Sequence, residues 1–355
     1  MKKIFVRLLC FFTIPTCCIV GINFFIDPAN IFKKSIYETI VNHLIEDKNV
    51  TNIPNLDERL LQKLYINLLN KCPDEIVLGS SRIMQIGNAS NIQRTNLINN
   101  GVSGASLEDI LSIYYLYVKK GCKIKKITLG LDPYFLNDNH GQNRWITLET
   151  EFIDCYNQLF EQKKGYRNPL FEDKYKELFS LAYFRSSLDY LKSGNNKQVH
   201  STENHNNKKM TRLTDGTITY DYDTRNISID KSDKSVKQAI INQPLYSMQG
   251  FLELSVYYKD LFSLFIEHVI QNNIEIEFVF IPLHPLLFNY LQNDPNYKMF
   301  FEAEKFYQEI ASEKQIKIIG SFDPNSYNLE HLNFYDGFHC KEEVIELLFT
   351  DIIPM

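Results

Sequence analysis

The chain has no clustered cations. Its 355 residues include 38 Lys and Arg against 43 Asp and Glu, a formal net charge of −5, and nowhere do five basic residues run together. Nucleic-acid phosphates are held by concentrated positive charge, so a nucleic-acid partner is not expected. Cysteine is sparse and unpatterned: seven are present, with no CxxC and no metal-type spacing, which argues against a zinc site. No cofactor or metal is expected. No internal repeat is visible, so the solenoid architectures have no support. What is there is a globular composition. With 44% hydrophobic and 23% charged residues the chain buries a real core, which rules out disorder throughout and a many-span membrane protein.

Lys2, Lys3 and Arg7 precede an uncharged apolar run, Leu8–Ile26, of the length needed to cross the ~30 Å hydrocarbon layer. A cationic flank stays in the cytoplasm, which places everything after Asp27 outside. The expectation is a single-pass membrane anchor at 1–30 followed by an extracytoplasmic domain at 31–355. No small-x-small cleavage site follows the run, although a cleaved signal peptide is the competing reading. Cys10, Cys17 and Cys18 fall in the anchor. Cys72, Cys122, Cys155 and Cys340 lie beyond it, where an oxidising compartment permits a disulfide whose pairing the sequence does not choose.

Downstream, strand and helix patterns alternate. Apolar spacing predicts a helix over 57–69, and Glu75–Leu78 reads as a buried strand ending at Gly79-Ser80-Ser81. Residues 96–99 form a second strand candidate. A helix over 107–120 follows, with Ser106 as N-cap and Gly121 as its stop. Lys126–Leu131 is a third strand, closed by Asp132-Pro133. The pattern fades between about 137 and 249, which reads as an insertion with a polar loop at 192–211 and a small hairpin turning at Asp215-Gly216. It resumes with a helix over 251–271, a strand over 274–281, a helix over 297–313, a strand over 316–319 and a last helix over 342–349. The fold class is α/β: a three-layer sandwich around a mainly parallel sheet.

In open α/β sheets ligands bind beyond the carboxyl ends of strands. Three polar clusters sit at such ends. In IVLGSSR, Ser80 or Ser81 lies between a strand and a helix start, where a hydroxyl faces solvent and backbone N–H groups stabilise negative charge, although serines there also simply cap helices. In NNGVSGAS, glycines let the backbone approach a ligand closely. In Asp336-Gly337-Phe338-His339, a carboxylate can fix the tautomer of an imidazole that removes a proton from a hydroxyl. Arg82 is a candidate to hold a carboxylate or phosphate, and His284, after the best strand, is a weaker substrate-binding candidate. His331 and Cys340 near His339 suggest a metal only superficially. Trp145 reads as core.

The ordered set IVLGSSR, NNGVSG, ITLGLDP and DGFH resembles the SGNH (GDSL-like) hydrolase superfamily, in its membrane-anchored branch with the D-alanyl-lipoteichoic acid biosynthesis D protein and the alginate O-acetylation proteins. The resemblance implies a flavodoxin-like sandwich and a Ser-His-Asp triad of Ser81, His339 and Asp336. It also implies an oxyanion hole from the N–H groups of Ser81 and Gly104. The third block departs: the family expects Gly-x-Asn-Asp where this chain has Gly130-Leu131-Asp132-Pro133, and an ionised Asp132 cannot donate to an oxyanion. The function implied is O-acylation or deacylation of an envelope polysaccharide, with that polysaccharide and a membrane-bound O-acyltransferase as partners. An inert glycan-binding or assembly factor that keeps the fold is the alternative.

Overall fold

The structure is a computed structural model and describes residues 2–28, 32, 35–87, 96–159, 173–192 and 199–350. Nine strands are present among them: β1 (Asn49–Thr51), β2 (Glu75–Leu78), β3 (Leu97–Asn99), β4 (Lys126–Gly130), β5 (His200–Thr202), β6 (Thr211–Arg212), β7 (Ile218–Thr219), β8 (Glu275–Phe280) and β9 (Lys317–Gly320). Five of them form one all-parallel sheet in the order β3-β2-β4-β8-β9. Parallel pairing needs crossovers, and the helices Leu107–Lys120 and Val256–Gln271 lie in two of them. Ser106 caps the first through a reciprocal bond with Asp109, and Gly121 ends it in the left-handed region, as the sequence suggests.

The strand residues alternate between two cores, as a period of two requires. Ile76, Leu78, Ile127, Leu129, Ile276 and Phe278 face the larger core with those helices, while Val77, Val279 and Ile319 face the second with Ile83, Phe334 and Val344. The sheet is therefore buried on both faces. The chain turns from β2 outward to β3, then returns past β2 to β4. The carboxyl ends of β2 and β4 thus lie side by side at a topological switch point, where a crevice forms.

One expectation is corrected: the helix expected over 251–271 begins at Val256, because Ser255 caps it through the Tyr258 N–H. The hairpin expected at Asp215-Gly216 is present as β6 paired with β7, and the region expected as an insertion adds no strand to the parallel sheet. Its strands β5, β6 and β7 join β1 in a four-stranded antiparallel sheet, in the order β5-β1-β6-β7, which ties it to the N-terminal part of the chain. Residues 193–198 of the expected loop lie outside the described residues. Cys72 and Cys122 form a disulfide across a sequence separation of 50.

A helix covers Lys2–Ile26, and near its end Asn23 donates to the carbonyls of Leu178 and Ser180. The side chains of residues 2–10 and of Phe12 lie outside the described residues, and with them part of the run expected to span a membrane. Among the described residues no helix is long and apolar enough to cross a membrane.

Candidate active site

The turn after β2 is forced by a close approach. At Gly79 φ is +149°, and a Cβ there would lie 2.8 Å from the Gly130 carbonyl of β4, so only glycine lets the two strand ends meet. Ser80 then caps a single helical turn, Ser81–Ile83, by accepting the Arg82 N–H at 3.3 Å, and is buried in doing so. Ser81 opens that turn with its Oγ 2.8 Å from His339 Nε2.

The imidazole is fixed by its own loop. Asp336 Oδ1 accepts the N–H groups of Phe338 (2.7 Å) and His339 (2.9 Å), an Asx-type turn that folds the carboxylate back on the ring. His339 Nδ1 stands 2.9 Å from Asp336 Oδ2. An ionised carboxylate only accepts, so the ring proton sits on Nδ1 and the lone pair of Nε2 faces the Ser81 hydroxyl. Burial alone would raise the Asp336 carboxyl. The neighbouring imidazole and the two N–H groups outweigh it and hold the group below its ordinary value. Tyr220 packs edge-on against His339 at 6.2 Å.

Gly104 is placed by a residue that sequence reasoning missed. Arg59 forks onto Asp109 (Nε–Oδ1 3.0 Å, Nη2–Oδ2 2.8 Å) and uses its other donors on the carbonyls of Ser103 (2.9 Å) and Gly104 (3.1 Å). In a trans peptide the C=O and N–H point opposite ways, so fixing the Ser103 carbonyl on Arg59 turns the Gly104 N–H away from it. Among the described residues neither that N–H nor the Ser81 N–H has a hydrogen-bond partner. With φ at +54°, and with Tyr246, Arg144 and Gln142 where a Cβ would go, Gly104 cannot be replaced without displacement. The sequence does carry a signal for Arg59: it stands at the helical spacing of buried Gln62 and Ile66, on the inward face of Glu58–Leu68.

One substrate-binding expectation, at His284, is corrected. Arg82 does line the cleft, although each of its three guanidinium nitrogens already donates one hydrogen bond. Nη1 pairs with Asp132 Oδ1 at 2.7 Å, Nε donates to the Phe338 carbonyl at 3.2 Å and Nη2 donates to the Ile281 carbonyl. Asp132 is thereby the counterion of a buried arginine and an acceptor, not an oxyanion donor. His284 does not line the cleft. It is fully buried, its Nδ1 accepts the Leu286 N–H as cap of the helix Pro285–Asn293, and its backbone N–H donates to the Gly337 carbonyl. Among the described residues Asp233, His284 and His331 bring potential ligand atoms within 4.8 Å of one another. The Leu286 N–H occupies the Nδ1 lone pair of His284, so its ring proton is on Nε2, facing Asp233 Oδ1 at 3.3 Å, which suits a donor rather than a metal ligand.

Ser81, His339 and Gly104 open onto a cleft of about 400 Å³ walled mostly by apolar side chains, among them Tyr134, Leu245, Met248, Leu283 and Phe300. Tyr134 is part of this wall, and its buried hydroxyl has no hydrogen-bond partner among the described residues. Trp145 packs against Phe152 at the edge of the larger core, as its core reading requires. Chemically the arrangement joins a hydroxyl, a base with a fixed tautomer and free N–H donors around one apolar pocket. No protein-family model matches the chain, and no curated protein matches its sequence.

Proposed function

We propose that the protein is an SGNH-like serine acyl-transfer or esterase enzyme that modifies a cell-envelope polysaccharide. One observation carries the reading: Ser81 Oγ, His339 and Asp336 stand in line at 2.8 and 2.9 Å. The strand order of the parallel sheet agrees with the flavodoxin-like three-layer sandwich that the resemblance implies.

Ser81 Oγ attacks an acyl carbonyl while His339 Nε2 takes its proton, and Asp336 stabilises the imidazolium through the Nδ1–H. The N–H groups of Ser81 and Gly104 hold the oxyanion. Its collapse expels the donor's leaving group, which receives the proton from His339, and leaves an ester on Ser81. A sugar hydroxyl, or water, then gives its proton to His339, attacks that ester and restores Ser81. The apolar cleft houses the acyl group. The polysaccharide is the acceptor or substrate, and a membrane-bound O-acyltransferase is the partner that delivers acyl groups.

The membrane tether rests on the sequence: the uncharged run Leu8–Ile26 behind Lys2, Lys3 and Arg7. The Cys72–Cys122 disulfide supports an oxidising, extracytoplasmic location.

A fluorophosphonate probe tests the chemistry. Wild type and Ser80→Ala take the label and Ser81→Ala does not. Labelling of Ser81→Ala would transfer the nucleophile role elsewhere, and no labelling of any of the three would leave the inert glycan-binding factor in its place.

A further inference from the structure

The apolar helix Lys2–Ile26 is bare over part of its length: every described side chain from Phe11 to Cys18 is exposed. A helix that is apolar on all sides belongs in a protein core or in lipid, and its exposure rules out the core. Its last turns differ. Asn23 and Asp27, the polar groups that end the run, are buried against residues 178–187. The Asn23 amide donates to the carbonyls of Leu178 (3.0 Å) and Ser180 (3.1 Å), and Asp27 accepts the Tyr183 hydroxyl (2.6 Å) and the Phe32 N–H (2.8 Å). Such groups are costly in hydrocarbon unless they are paired. The helical turns Asp173–Phe179 and the helix Leu181–Lys192 thus hide the polar end of the run, and what this joint turns outward is apolar. Phe25 is 73% exposed, Phe179 57%, Leu181 62% and Leu191 52%. One such side chain would be ordinary, but these lie on neighbouring segments and extend the bare face of the first helix.

Two further observations say what covers this surface. Phe25, Phe24, Phe32 and Tyr175 follow one another with ring centroids 5.5, 5.7 and 6.2 Å apart. An aromatic cluster where an apolar run ends matches the membrane–water boundary, where amphipathic rings collect. Among the described side chains of 173–192 the exposed charges are mostly cationic: Lys176, Arg185 and Lys192, against Asp189, which Lys192 approaches at 3.6 Å. Long cationic side chains beside an apolar face lay their stems in the apolar layer and keep their heads among lipid phosphates.

We propose that residues 173–192 form a second membrane contact, seated in the headgroup layer of a bilayer against the N-terminal helix. The polar end of that helix is sealed by protein, and the apolar face of the pair is covered by lipid. The inference rests on the membrane-tether reading and is independent of the acyl chemistry.

The chain has one tryptophan, Trp145, at the edge of the larger core, so an added indole reports its own surroundings. The full chain is reconstituted in lipid nanodiscs at one chain per disc, with lipids brominated on the upper acyl chain as quenchers. Phe179→Trp and Leu191→Trp should each lose about twofold of the added emission, as for side chains roughly 5–10 Å into the headgroup–acyl boundary, while the emission of Trp145 in wild type stays unchanged. Both positions are exposed, so either variant decides if the other does not fold. A chain that does not enter the discs overturns the tether and this contact together. A chain that enters them with both added indoles unquenched overturns this contact alone. Added indoles that become shielded only when two chains share a disc would make a second copy the occupant and also overturn it.

Discussion

Replacing His284 by asparagine removes one titrating group and keeps a side-chain oxygen to accept the Leu286 N–H. In the native chain, burial first and the adjacent His331 imidazole second push the His284 ring from 6.5 down to about 4, against the pull of Asp233. The folded protein therefore refuses a proton that the unfolded chain accepts. Between pH 6.5 and 4 the unfolded state binds one more proton at this site, so the site's share of stability is complete above 6.5 and is lost as the pH falls toward 4. That span of about 2.5 pH units, at about 1.4 kcal/mol each, gives roughly 3 kcal/mol. Wild type alone would hide the effect. Glu304 and Glu342 are raised to about 7, mainly by burial, and bind protons in the folded state over part of the same range, which tilts stability the other way. Both groups are present in the variant, so the difference between the two proteins isolates His284. Urea denaturation at half-unit steps from pH 4 to 7.5 should show the wild type losing roughly 3 kcal/mol relative to His284→Asn on acidification. Parallel curves would mean that His284 is protonated in the fold and that the tautomer drawn here from the Leu286 contact is mistaken.

Three further outcomes follow from the same geometry. Gly104→Ala forces a Cβ onto a left-handed residue and against Tyr246, Arg144 and Gln142, and should cost about 1–2 kcal/mol in thermal stability. Its disturbance of one oxyanion donor should slow fluorophosphonate labelling of Ser81 by about 100-fold, and an unchanged rate would remove Gly104 from the site. Replacing Cys72 and Cys122 by serine opens a cross-link spanning a sequence separation of 50 and should cost roughly 4 kcal/mol in urea denaturation; a loss below about 1 kcal/mol, or both thiols titrating as free in protein purified without reductant, would contradict the bridge. Asp132→Asn strands the buried Arg82 charge and should cost about 3–5 kcal/mol without faster labelling, whereas a faster and equally stable variant would make position 132 an oxyanion site rather than a counterion.

The parts of the fold that follow from local rules are legible in the sequence. Glu75–Leu78, Lys126–Gly130 and Glu275–Phe280 are apolar runs bounded by turn residues, and the helix at Leu107–Lys120 carries both its cap and its stop in its own residues. The Ser81, Asp336 and His339 set is also readable, because each member sits in a short motif at a strand end or before a helix. The rest depends on distant contacts. The hairpin of β6 and β7 is local and legible at Asp215-Gly216, but β5 and β6 are two or three residues long and join a sheet only by pairing with β1, about 150 residues earlier in the chain. Nothing local marks Arg82 as a clamp rather than a ligand, since its three partners lie at 132, 281 and 338. The same holds for His284, whose place after the strongest strand suggests a cleft, while the N-cap geometry turns its ring away from it.

Two buried arginine–aspartate pairs flank Ser81 and His339, and stability is a poor reason for either. Withdrawing two charges from water offsets most of their attraction, and well-packed apolar pairs often do as well. What an apolar pair cannot do is grip a backbone. After satisfying Asp109, Arg59 still holds the carbonyls of Ser103 and Gly104. After satisfying Asp132, Arg82 still holds those of Phe338 and Ile281. The first clamp orients the N–H that would receive the oxyanion, and the second anchors the peptide next to His339. Each aspartate is needed because an uncompensated guanidinium would not remain in so dry a place. Position 132 then has a physical reason to be aspartate: its charge keeps Arg82 buried, and Arg82 keeps the imidazole loop against the end of β2.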